Sequence, residues 1–103
     1  MPTLTELFWE GVKLEPLYDG HGAVLDFEKY QLSIVQHSHS YGGKQGLYEI
    51  AVYNGNQQVE LPGITAEGDT VKGFLTMEDV AVIIKKMHTI TGVNHKQKLG
   101  SFA

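Results

Sequence analysis

The runs Ala23–Phe27 and Tyr30–His37 flank the short connection Glu28-Lys29, and the alternation of their side chains constrains the chain more than any other feature. Pairing Phe27 with Tyr30 sets Leu25 opposite Leu32 and Ala23 opposite Ile34, so one face of the hairpin is uniformly apolar. The opposite face collects Val24, Asp26, Gln31, Ser33, Val35 and His37. A slip of one residue mixes the two sets, so the pattern itself selects the register.

A second hairpin is expected around Asn54-Gly55, a preferred type I′ turn, joining Leu47–Tyr53 to Asn56–Leu61. That turn pairs Tyr53 with Asn56, Ile50 with Val59 and Tyr48 with Leu61, and it sets Glu49 directly opposite Glu60. Val12, Leu14 and Pro16 alternate with lysine and glutamate as in an edge strand, and Val71–Leu75 forms a short strand interrupted by Gly73. Thr3 and Glu6 fit a capping box for a short helix Leu4–Glu10 that stops at Gly11. Thr76 and Asp79 open a longer helix, Met77–Thr91, with Val80, Ile83, Ile84, Met87 and Ile90 in one stripe and Gly92 as its stop.

These elements predict an α+β fold: an antiparallel sheet of four to five strands, built from two β-hairpins, with a short N-terminal helix and the C-terminal amphipathic helix packed on one face. A single domain over 1–92 and a polar, frayed tail over 93–103 are expected. The 103 residues, 42% hydrophobic and 19% charged, suit one globular domain. The chain has no cysteine, which removes disulfides and thiolate metal sites. The acidic N-terminus lacks a signal-peptide pattern and no apolar run reaches the length of a membrane span, so a cytoplasmic protein away from membranes is expected. All eight basic residues are lysine and the formal charge is −4, an unpromising balance for binding nucleic acid.

The densest polar constellation is His37-Ser38-His39-Ser40-Tyr41-Gly42-Gly43, which the first hairpin brings beside Asp19-Gly20-His21-Gly22, with Gly20 opposite His37 and Asp19 opposite Ser38. On an extended chain His37 and His39 point to the same, polar face. Glu49 and Glu60 would join them there if the hairpins are neighbours, giving a divalent-metal or acid/base set of His37, His39, Glu49 and Glu60. The glycines of the two loops offer backbone amides to a small anionic metabolite or nucleotide. Trp9, Tyr18, Tyr41 and Tyr53 have no assured place on the apolar faces, and exposed aromatics beside polar groups favour interfaces. No nucleophile motif accompanies these residues: Ser38 and Ser40 would face away from the histidines, and neither Gly-x-Ser-x-Gly nor His-Glu-x-x-His occurs. His88 at the stripe edge and His95 in the tail read as non-catalytic. The leading expectation is a non-enzymatic binding domain of adaptor or inhibitor type, without a cofactor, self-associating as a homodimer through the polar face and the His/Gly-rich loop. Its partner contacts would be His21, His37, His39, Tyr41, Gly42, Gly43 and Tyr53. A small metal-binding protein or metal-assisted hydrolase is the competing expectation, and an anion binder the third.

Overall fold

In the computed structural model, which describes residues 2–9 and 11–102, the chain forms an α+β fold with one antiparallel sheet and two helices. Helix α1 spans Leu4–Phe8, and Thr3 Oγ1 accepts a hydrogen bond from Glu6 N at 3.1 Å. The expected helix end at Glu10, and the terminal residues Met1 and Ala103, lie outside the described residues. The strands are β1 (Glu15–Leu17), β2 (Gly20–Phe27), β3 (Tyr30–Gln36), β4 (Tyr48–Asn54), β5 (Gln57–Gln58), β6 (Val71–Leu75) and β7 (Lys96–Gln97), with α2 (Met77–Thr91) between the last two.

Strands β2, β3 and β4 are the long, central members. The β2–β3 register is the one that the alternation selects, with Phe27 paired to Tyr30, Leu25 to Leu32 and Ala23 to Ile34. Strand β4 lies beside β3 with Ile50 opposite Ile34 and Val52 opposite Leu32, so three strands contribute to one apolar face. Ala23, Leu25, Phe27, Leu32, Ile34, Ile50 and Val52 are wholly buried there, beneath Val80, Ile83, Ile84 and Met87 of α2. Each large side chain so covered contributes about 1.5–3 kcal/mol relative to exposure. Thr76 and Asp79 form a reciprocal capping box at the start of α2, and Gly92 ends it in the left-handed conformation. Ile90, expected in the buried stripe, is exposed instead, grouped with Val82, Lys86 and Thr89 beside Pro62 and Gly63.

The second hairpin keeps its faces but not its register. Tyr53 pairs with Gln58 rather than Asn56, and Asn54 closes the turn with Gln57. Gly55 alone takes positive φ, at 66°, and its N–H donates to Gln31 Oε1 at 2.9 Å, which anchors the turn one residue later than the Asn-Gly signal implies. A displacement of two residues preserves the side-chain alternation, and Leu61 still reaches the core. Glu60, however, lies beyond β5 and is not opposite Glu49.

Both sheet edges are composite. The outer side of β2 pairs with β1 near Gly22 and with β7 at Leu25 and Asp26. The outer side of β4 pairs with β6 from Tyr48 to Ala51 and with β5 at Tyr53 and Asn54. Short edge strands of this kind expose little continuous backbone for unwanted pairing.

The segment expected to fray is held. Beyond the β7 pairing, Lys98 N donates to Val24 O at 2.8 Å, Gly100 N to Glu15 Oε2 at 2.8 Å, and Lys13 N to Gln97 Oε1 at 2.8 Å, while Gln97 Nε2 returns a hydrogen bond to Lys13 O. Polar composition misleads here because the segment docks by backbone and amide hydrogen bonds rather than by apolar side chains. Its hinge carries an imidazole pair: His88 Nε2 and His95 Nδ1 are 2.8 Å apart, and His88 Nδ1 donates to Asn94 Oδ1 at 3.0 Å. Phe27 lies against both rings, and Phe8 against His88.

Burial, followed by the neighbouring His88, depresses the pKa of His95 below its ordinary value of about 6.5. A proton is then bound more weakly by the folded chain than by the unfolded one, so the stability that His95 contributes is present above that ordinary value and lost as pH falls below it. Chemical denaturation is expected to show stability rising from pH 5 to 7, with a shallower rise in His95→Gln.

Candidate functional site

Three connections meet at one end of the sheet: the β1–β2 turn at Tyr18-Asp19, the long β3–β4 loop, and the junction of β6 with α2. The first two are joined as the register implies, since Asp19 Oδ1 accepts a hydrogen bond from Ser38 N at 2.9 Å. The hydrogen bonds from Ser38 hold the Asp19 carboxyl below the usual aspartate range.

After Gln36 the chain leaves the extended conformation and turns. Ser40, which is buried, causes this: its Oγ accepts from His37 N at 3.0 Å and donates to His37 O at 2.9 Å, closing a turn on His37. His39 N donates to His37 Nδ1 at 3.1 Å, so the two histidines sit around a turn instead of side by side on a strand face. The His37 ring packs edge-on against Tyr18 with centroids 5.1 Å apart, while His39 is exposed. Tyr41 N donates to Glu49 Oε1 at 3.0 Å, and Tyr41 O accepts from Phe74 N at 3.1 Å, which ties the loop to β4 and β6.

Further amides of the loop are committed as well. Ser40 N donates to His37 O, Gly43 N to Ser40 O, Gln45 N and Leu47 N to Gly42 O, and Gly46 N to Gly43 O. The glycines therefore build a short 3₁₀ turn, Gly43–Gln45, and its flanks. The N–H groups of Gly43 and Gly46 are satisfied within the loop, which leaves fewer donors for the anion-binding expectation.

The metal set does not assemble. Glu49 faces Val35 across the strands and holds the Tyr41 amide. Glu60 lies past β5 on the far side of β4 from β3, and its Oε2 accepts from Gly68 N at 2.7 Å. No group of three or more His, Asp or Glu side chains converges on a metal-sized site among the described residues. The direct opposition of Glu49 and Glu60 disappears with the corrected hairpin register.

Two other expected contact residues lie elsewhere. His21 turns to the helix side of the sheet, where its ring stacks on Tyr48 at 6.2 Å and its buried Nε2 has no hydrogen-bond partner. Tyr53 pairs with Gln31 near the opposite end of the sheet. His37, His39, Tyr41, Gly42 and Gly43 do lie together.

What the end of the sheet presents is aromatic. Tyr18 is 82% exposed, Tyr41 59% and Phe74 58%, with Met77 following Phe74 at the helix start. Tyr18 and Phe74 also hold positive φ, 53° and 57°, a strained region for bulky side chains. Phe74 escapes a sequence reading because Val71–Leu75 resembles a plain strand. The β6 pairing is irregular between Tyr48 and Ile50, and Phe74 is turned outward. Gly73 was the available signal: a Cβ at Gly73 would stand 2.4 Å from Tyr41 Cβ.

Close packing makes the loop sensitive at one position and tolerant at another. A Cβ at Gly43 would fall 1.8 Å from His37 O, whereas at Gly46, with φ of 76°, nothing lies within 4 Å. Gly43→Ala is expected to cost about 2–4 kcal/mol by equilibrium denaturation, and Gly46→Ala only the left-handed penalty of about 1–2 kcal/mol.

No helix among the described residues is long and apolar enough to cross a membrane. No protein-family model matches the chain, and no similar protein is found among curated sequences or solved structures.

Proposed function

We propose that the chain is a non-enzymatic binding domain that associates with a second copy of itself through the loop end of the sheet. One observation carries the reading: Tyr18 and Phe74 hold exposed aromatic rings on strained left-handed backbone, on either side of a loop held in shape by its own hydrogen bonds. Neither ring contributes core burial that would offset its strain. Exposed aromatics on an ordered frame are good contact groups, because little side-chain entropy remains to be lost on binding. The sheet's open face plays no necessary part in this contact, and no side chain is assigned a catalytic role.

The paired substitution Tyr18→Asn/Phe74→Asn tests the reading, because asparagine tolerates the left-handed conformation far better than an aromatic. The variant is expected to be as stable as the parent or more stable, by up to about 1–2 kcal/mol. In sedimentation over a concentration series, the parent should rise above its 11.4 kDa monomer mass and the variant should not. A parent that stays monomeric up to about 1 mM would remove self-association. A variant that is destabilised and still associates would show the two rings to be structural.

A further inference from the structure

The face of the sheet not covered by α2 contains a groove that the loop-end reading does not use. Its floor is the cross-strand pair Val24 and Ser33. Gln31 and Tyr53, paired across β3 and β4, form one side. The other side is Phe102, whose ring lies over Gly22: a Cβ at Gly22 would stand 3.1 Å from Phe102 Cε2, so the ring reaches the sheet because that side chain is absent. Lys98 continues the β7 pairing through its N–H to Val24 O, which places it in the same cross-strand row as Val24 and Ser33. Ser101 also lines the groove, its Oγ donating to Lys98 O at 2.9 Å.

The groove encloses about 330 Å³, the lower end of small-ligand sites. Among the described residues, Lys98 is the only charged one that lines it, in a chain whose formal charge is −4. The nearest carboxylate in the adjoining row, Asp26, is engaged by Gln31 Nε2 at 3.1 Å and pairs across the strands with Lys96. Two aromatic rings therefore bound a shallow, small-residue floor with one ammonium at its edge. We infer that this groove binds a small planar aromatic carboxylate, its ring between Tyr53 and Phe102 and its carboxylate at Lys98. The tail is then part of a binding site, which gives its fixed docking on β2 a use beyond closing the sheet edge.

Naphthoate and its neutral isostere naphthamide separate ring recognition from charge recognition in proton–nitrogen correlation spectra of the full chain. Naphthoate is expected to shift the amides of Val24, Ser33 and Lys98 saturably and to bind about fivefold more tightly than naphthamide, the scale of one exposed ion pair. Lys98→Gln should bring naphthoate to the naphthamide level and leave naphthamide unchanged. Phe102→Ala should weaken both. The inference is overturned if neither probe shifts these amides saturably up to about 10 mM, if the two probes bind alike to the parent, or if Lys98→Gln leaves naphthoate binding intact. Lys98 is exposed, so its replacement leaves the fold available for the comparison.

Discussion

Leu25, Phe27, Leu32, Ile34, Ile50 and Val52 are withdrawn from water by Val80, Ile83, Ile84 and Met87, and this contact between one sheet face and α2 orders the rest of the molecule. It fixes which face of β2, β3 and β4 turns inward, because no other element covers so much apolar surface. It also needs α2 to start and stop in register with the sheet, which the Thr76–Asp79 box and Gly92 secure. With the helix seated, the outer sides of β2 and β4 still carry unpaired backbone groups. Four short strands satisfy them in pairs, and the tail supplies one of the four.

The loop end follows a different economy. Its order comes from hydrogen bonds more than from burial: the Ser40 hydroxyl closes on His37, the Asp19 and Glu49 carboxylates hold Ser38 N and Tyr41 N, and the 3₁₀ turn uses its own amides. The Asp19 and Glu49 carboxylates and the bonded amides are consumed in building the loop. Tyr18, Tyr41 and Phe74 are left facing solvent. The strained residues Tyr18 and Phe74 stand outside the buried core cluster. That division, a stable core at one level and a strained, ordered rim at one end, is the basis for reading the rim as a contact surface.

The parts of the fold legible in the sequence are those set by side-chain periodicity and caps. The β2–β3 register is visible because a one-residue error inverts every side chain, and the limits of α2 are visible because Thr76, Asp79 and Gly92 have local roles. The second hairpin shows where such reasoning stops: a two-residue shift keeps the alternation, so only a tertiary bond, Gly55 N to Gln31 Oε1, decides between registers. That small error carried the Glu49–Glu60 pair with it, and with the pair went the metal site. The tail was illegible because its anchors are main-chain and amide groups, which every sequence has. The hairpin register puts His37 and His39 at the sheet end, yet their orientation depends on a serine hydroxyl that periodicity does not register.

The central claim is that the aromatic rim is ordered before any partner arrives, and amide hydrogen exchange of the free chain tests it most directly. The amides of Ser38–Tyr41, Gly43 and Gln45–Leu47 are expected to exchange at least about a hundredfold more slowly than an unfolded chain, though faster than those of β2, β3, β4 and α2. Exchange of the loop amides at unfolded-chain rates, with the central strands still protected, would contradict the account, because the rings would then stand on a segment that must be ordered by binding.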